Sequence, residues 1–354
     1  MRILRRSTLL ALGCCALLFI AFTTTRTGAN AAQPGVSASP RLDVMQVVDG
    51  EVLDSVALGN RVIVVGTFTQ VRNAGGNPID QPYIAAYDIN NGRFDTGFLP
   101  DLDKPAFTVD TDGTDLYIGG NFTTVDGDRH RKIAKLTASG DLISSFSPQV
   151  SANVDDIQLA NGKAYFTGSF RFVDGQAREV LAAVDAQSGE LDTTVDFDFD
   201  FSVAVGGSIS GKSIVVTPNE NMLFLSHTAR FIEGQERTAI ARFDIRENST
   251  SLSNWQTDLY DDELDRFAGA LRPRRLAVSP DGSYFVMVNS GGDRPPAGDT
   301  AVRFPVFGGA GVEPDWISRH FDTVLGVAIS DQAVYVGGHF QFQEAPGSDD
   351  PFPR

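Results

Sequence analysis

LYIGGNFTTVDGDRHRKIAKL, residues 116–136, holds an alternating apolar run, a Gly pair, an Asp-Gly dipeptide and a second apolar run beginning at Ile133. The pattern recurs as VIVVGTF at 62–68, AYFTGSF at 164–170 and VYVGGHF at 334–340, with two degenerate copies between, LFLSHTA at 223–229 and YFVMVNS at 284–290. Successive copies start 54, 48, 59, 61 and 50 residues apart, a regularity in the range of propeller or array repeats. The quoted stretch is one unit of six, so its glycines read as architecture before they read as a ligand site.

Each unit carries the same parts in the same order. A short strand ending in a tight turn precedes the glycine run, as in DSVALGN at 54–60, FTVDTDG at 107–113 and DIQLANG at 156–162. A polar loop with its own turn follows, then an apolar strand such as IAAYDINNG from Ile84, IAKLTASG from Ile133 or LAAVDAQSG from Leu181. A fourth run closes three of the units: GRFDTGF at 92–98, GDLISSF at 140–146 and GELDTTV at 189–195. Four short strands separated by Asn-Gly, Asp-Gly and Ser-Gly turns write an antiparallel blade. Helical periodicity is confined to Leu264, Phe267, Ala268 and Leu271, a short helix expected to stop before Pro273.

Such a unit cannot bury both faces alone, and four strands per repeat without capping repeats favour a ring over a flat or helical array. The expected fold class is all-β, a β-propeller of four-stranded antiparallel blades with six units visible. The sixth lacks its third strand, and ASPRLDVMQVVDG from Ala38 reads as the last strand of a blade. The expectation is therefore that the chain ends early, leaving the propeller truncated or unclosed at its C-terminus, or that another segment closes the ring, seven blades in all being compatible with the pattern.

The N-terminus reads as an address. Arg2, Arg5 and Arg6 precede an apolar run from Leu9 to Phe22 and an Ala29-Asn30-Ala31 triplet, which predicts a secretory signal over 1–31 and a propeller over 32–354. Arg5-Arg6 and Gly13-Cys14 match twin-arginine and lipid-attachment signals poorly, and both alternatives stay open. The apolar run is too short for a membrane span, which needs ~20 residues. Both cysteines, Cys14 and Cys15, fall inside the signal, so the mature chain has no thiol and depends on burial for stability.

Removing the signal takes the balance from 29 basic against 45 acidic residues to 25 against 45, a net of −20. That excludes the basic track that nucleic acid requires and points to a solvated, extracellular monomer.

The stretch YIGGNFTTVDGDRHRKIAKLTASGDLISSF from Tyr117 resembles the delta-60 repeat, a β-propeller domain of unknown function with a Gly-Gly-x-Phe hairpin, an Asp-Gly loop with a downstream Arg, and an Ile-Ala-Arg-Leu strand. FVDGQAREVLAAVDAQSGELDTTV from Phe172 and FIEGQERTAIARFD from Phe231 match it too. The resemblance implies secreted bacterial surface proteins and, distantly, a fungal cortical marker of cell polarity; it implies extracellular display and supplies no catalytic residues. The Gly pairs at 119–120 and 337–338 are also similar to kelch repeats, without the Tyr and Trp that follow there.

Three constellations could carry chemistry. Asp110-Thr111-Asp112-Gly113-Thr114-Asp115 has the carboxylate density of a calcium loop, but its repeat equivalents lack the extra acids, so a hairpin turn accounts for it better. Asp196, Asp198 and Asp200 alternate with Phe197, Phe199 and Phe201, which places three carboxylates on one strand face as a candidate calcium ladder or a solvated edge. His130, Arg178 and Arg237 each lie three residues after a loop glycine, forming either a binding arc for anionic sugars or interblade ion pairs with acids such as Asp126 or Asp174. No cofactor is expected apart from that calcium.

The four histidines show no zinc spacing and no G-x-S-x-G turn occurs. The leading expectation is a secreted or envelope propeller that binds a surface glycan or protein without catalysis. The alternative is a polysaccharide hydrolase or lyase with its site in the central funnel. Asn121-Phe122-Thr123 and Asn248-Ser249-Thr250 are glycosylation sequons with no further support.

Overall fold

The computed structural model describes residues 41–203, 207–261, 272–292, 298–344 and 351–353, all within the unit Ser37–Arg354. The leader expected over 1–31 and the helix expected from Leu264 to Leu271 lie outside the described residues. The described elements are strands in small antiparallel sheets.

Each repeat forms a blade. In the first, Val52–Leu58, Arg61–Gly66 and Ile84–Asp88 pair in sequence order. Ala106–Thr111, Asp115–Gly120 and Ile133–Thr137 build the second, and Val154–Ala160, Lys163–Gly168 and Leu181–Asp185 the third. The fourth has four strands, Gly211–Val216, Met222–His227, Ile240–Arg246 and Ser249–Leu252, as does the fifth, Arg272–Val278, Tyr284–Ser290, Thr300–Pro305 and Trp316–His320. The sixth consists of Val324–Ile329 and Val334–Gly338 among the described residues. The first strand of each blade packs on that of the next, from Val52–Leu58 through to Val324–Ile329, so these strands surround an axis.

The expected fourth strand is reduced in the first three blades to one bridged pair each: Tyr87 with Phe94, Leu136 with Leu142, Val184 with Leu191. A turn stops it there, closed by the main-chain bonds of Phe98 to Asp95, Phe146 to Ile143 and Val195 to Asp192 and reinforced by a side chain in the first and third blades. Asp95 accepts from the Gly97 amide at 2.8 Å and Asp192 from Thr194 at 2.8 Å, closing a turn that the patterning alone reads as strand. The turn drives Phe98, Phe146 and Val195 into the core, all fully buried.

The loop after the second strand folds into a small outer hairpin. Asp126-Gly127, Asp174-Gly175 and Glu233-Gly234 have positive φ at both turn positions, the type I′ geometry whose twist suits a two-residue hairpin. This hairpin pairs with the segment arriving from the preceding blade: Val125 with Leu102, Val173 with Val150, Ala229–Ile232 with Phe199–Ser202. The core is correspondingly a series of slabs between blades, for example Val65, Ala86 and Phe98 against Val109, Ile118 and Phe122.

The repeated glycine before each Asn, Ser, Thr or His is required by close approach. At Gly66, Gly120, Gly168 and Gly338 an added Cβ would fall 1.9–2.4 Å from the carbonyl oxygen of Glu51, Pro105, Asn153 and Thr323, backbone that cannot give way. In the fourth blade the position is His227, and its paired residue becomes Gly211. Where the loop rejoins the third strand, Tyr83, Lys132, Val180 and Ala239 hold φ of 66–68° or above. Their carbonyls accept the amides of Gly66, Gly120, Gly168 and His227, so the strain is retained in four successive blades because each conformation closes a hydrogen bond.

Gly168→Ala is expected to lower unfolding free energy by about 3 kcal/mol or more. Gly175→Ala, with open space around it and only a left-handed φ of 77°, should lose about 1 kcal/mol. Urea denaturation distinguishes them, and equal losses would contradict the close-approach argument.

Candidate functional site: the axial cavity

Every first strand carries a β-bulge at the same place. The register shifts between Val52 and Asp54, Ala106 and Thr108, Val154 and Asp156, Gly211 and Ser213, Pro273 and Arg275, and Val324 and Gly326. A bulge leaves one residue unpaired and turns its side chain out of the ladder. The six displaced residues are Leu53, Phe107, Asp155, Lys212, Arg274 and Leu325, and all line one axial cavity of about 910 Å³.

Their order around the axis divides the wall. Leu325, Leu53 and Phe107 from the sixth, first and second blades form an apolar arc. Asp155, Lys212 and Arg274 from the third, fourth and fifth form a charged one. The Lys212 Nζ lies 3.8 Å from Asp155 Oδ2. Arg274 donates from Nε to Ser290 Oγ at 2.6 Å.

In the first five blades the residue after the bulge ties blades together. Asp54 accepts the Val109 amide at 3.0 Å, Thr108 Oγ1 accepts Ile157 at 3.2 Å, Asp156 accepts Ile214 at 3.0 Å and Ser213 Oγ accepts Leu276 at 3.2 Å. Each acceptor belongs to one blade and each donor to the next. Asp156 is the hub, since Thr108 and Ser213 also donate their hydroxyls to it at 3.1 and 2.7 Å. Arg275 stands 3.6 Å from Asp156 and donates to the Leu53 carbonyl at 3.4 Å, linking the fifth blade to the third and the first. With the Ile157 amide, which donates to Asp156 at 3.0 Å, these partners number five and make a carboxylate only 5 % exposed tolerable.

The cavity shifts its carboxyls upward. Burial raises Asp110 to about 6, with the Asp156 and Asp54 carboxylates adding to it against the Leu159 and Thr111 amides. Burial likewise raises Asp155 to about 6, opposed by Lys212 and Arg275. Asp54 moves the same way, through burial and then Asp156. Burial lowers Arg274.

The residues singled out in the sequence lie elsewhere. His130, Arg178 and Arg237 are 3, 8 and 5 % exposed, so they recur as an arc but face inward. His130 hydrogen-bonds the Phe146 main chain, Arg178 pairs with Asp196 at 3.0 Å, and Arg237 donates to the Ser253 carbonyl at 2.9 Å and Gln256 Oε1 at 3.2 Å. Each fastens its outer hairpin to chain that lies 16–19 residues further on. The partners are not Asp126 and Asp174, whose carboxylates accept the amides of Asp101 and Gln149 instead.

Asp196, Asp198 and Asp200 are exposed, and alternation ends at Phe201, which has φ 57° and is 62 % exposed. Among the described residues no group of three or more His, Cys, Asp or Glu side chains is placed to hold a metal ion. In the Asp110–Asp115 loop, Asp112 Oδ1 accepts the Thr114 and Asp115 amides, and Asp115 pairs with buried Lys135 at 3.1 Å; it is a hairpin turn.

Sequence reasoning missed the bulge residues, although a signal exists. Leu53, Phe107, Asp155 and Leu325 each precede the motif glycine of their blade by 13 residues. Nothing in the strand patterning marks the unpaired position.

No family model matches the chain and no curated protein matches it, so the delta-60 resemblance rests on the repeat residues alone. Solved structures do match. A 6-phosphogluconolactonase-like protein from Bacteroides uniformis has a TM-score of 0.51 at 14% identity over 82% of both chains. A second, from Bacteroides fragilis, gives 0.50 at 12% identity over 82% of this chain and 81% of that one. The WD40 β-propeller domain of Doa1 gives 0.49 at 14%, covering 88% and 86%. The fold is a β-propeller. Among the described residues of this propeller no helix is long and apolar enough to cross a membrane.

Because Asp110 binds its proton more tightly folded, with its value raised from 3.8 to about 6, its contribution to stability falls as pH rises through that window. Asp110→Asn removes the effect. The difference in stability between variant and parent should move in the variant's favour between pH 4 and pH 7, by up to about 3 kcal/mol. Thermal unfolding across that range tests it, and a pH-independent difference would contradict it.

Proposed function

We propose that this chain is a secreted or envelope-associated propeller acting as a binding and scaffold module without catalysis, and that a surface glycan enters its axial cavity. The observation that carries the reading is the divided ring of bulge residues. A sugar presents apolar ring hydrogens on one side and hydroxyls around its edge, and Phe107 with Leu53 and Leu325 suits the first while Asp155, Lys212 and Arg274 suit the second. Export is supported by the residues before Ala31 and by the resemblance of the repeat to delta-60 surface proteins. A protein loop is the other partner such a cavity accommodates.

The raised Asp110 and Asp155 favour a second reading, a polysaccharide hydrolase or lyase, because a carboxyl titrating near 6 can donate a proton at neutral pH. Polysaccharide turnover abolished by Asp110→Asn would establish it.

On a glycan array, Phe107→Ala should weaken the strongest signals by roughly tenfold or more while leaving the melting temperature near that of the parent. An array with no signal for the parent chain contradicts glycan binding.

A further inference from the structure

The cavity wall holds more carboxylates than cations, yet apart from the exposed Glu51 its carboxylates already have donors or a cation facing them. Asp54 already accepts the Ser55 and Val109 amides, and Asp110 accepts those of Thr111 and Leu159. Asp156 is saturated by two hydroxyls, two amides and Arg275, and Asp155 faces Lys212. Arg275 is committed to Asp156 and the Leu53 carbonyl.

Arg274 differs. Ser290 holds it at Nε, and neither terminal nitrogen of its half-buried guanidinium has a hydrogen-bond partner among the described residues. A planar fork withdrawn from bulk water and presented to a cavity matches a carboxylate bidentately. Lys212 occupies the equivalent bulge of the adjacent blade, and among the described residues its one ion pair is the loose contact with Asp155 at 3.8 Å. Across the axis stand Phe107 and Leu53, an apolar surface against which a sugar ring can lie.

Resting on the glycan reading above, we infer that the axial cavity selects an acidic saccharide, a uronate whose carboxylate seats on the Arg274 fork beside Lys212 while its ring lies against Phe107. The surrounding acids then set a pH dependence. Asp155 faces Lys212, Arg275 and Asp156, and Asp110 faces Asp156 and Asp54. Arg274 itself faces Arg272 and Asp299. Protonating Asp110 and Asp155 removes negative charge from the wall and frees Lys212, so a uronate binds more tightly at pH 5.5 than at pH 7.5.

Isothermal titration of the full secreted chain with trigalacturonate, its methyl ester, galactotriose and hexanoate tests this. The expected result is trigalacturonate tighter than the ester and galactotriose by about ten- to a hundredfold, with hexanoate the weakest. Arg274→Gln should erase the preference for acid over ester, Arg274→Lys should restore part of it, and affinity should rise as pH falls. If Arg274→Gln fails to fold, Lys212→Gln is read in its place and should lower the preference severalfold. Equal affinity for acid and ester overturns the inference and leaves glycan binding standing; no binding by any saccharide overturns both. Hexanoate binding as tightly as trigalacturonate overturns the selection of a sugar, and weaker uronate binding at pH 5.5 overturns the anchor at Arg274.

Discussion

The whole ring depends on what happens to the free edge of each first strand. Such a strand pairs on one side only, and its other row of amides faces the axis, where unpaired buried N–H groups would be costly. Here the neighbouring blade supplies the acceptor. One side chain in each of the first four blades, Asp54, Thr108, Asp156 or Ser213, reaches the amide of Val109, Ile157, Ile214 or Leu276 in the next. Blade-to-blade packing and the satisfaction of the strand edge are thus one interaction.

The bulge makes that interaction and the site inseparable. By adding one residue, it lets position 156 turn toward the next blade while 155 turns to the cavity; the displaced residue lines the cavity in all six repeats, and the residue after it reaches the next blade in the first four. The tie restricts the second of these positions to short acceptors in the first four blades. The displaced position carries no such restriction, and it holds Leu, Phe, Asp, Lys, Arg and Leu in order around the axis. Scaffold and ligand chemistry therefore sit on adjacent residues, one held to short acceptors in the first four blades and the other free to vary.

Much of this was legible in the sequence. The recurring glycine motif gave six units, since Gly66, Gly120, Gly168 and Gly338 are fixed by contact with backbone and tolerate no side chain. The strand and turn order followed from alternation and Asp-Gly dipeptides. The fourth strand forms in the fourth and fifth blades and shortens to one bridged pair in the first three, where a turn after Phe94, Leu142 and Leu191 ends it by main-chain bonds that apolar patterning does not record. His130, Arg178 and Arg237 recur at one position of successive outer hairpins, but their burial depends on partners in a different segment, Phe146, Asp196 and Ser253, which the hairpin sequence does not record. The cavity residues stayed hidden because a bulge is set by pairing between strands, which a single strand's sequence does not record.

Native-state hydrogen exchange on Asp156→Ala measures the central claim most directly. If the ring is held by side chains meeting edge amides, Ile214 should lose at least about tenfold in protection, Ile157 and Leu276 should weaken through Thr108 and Ser213, and Val109, served by Asp54, should keep its protection. Unchanged protection at Ile214, or a uniform loss that includes Val109, would contradict it.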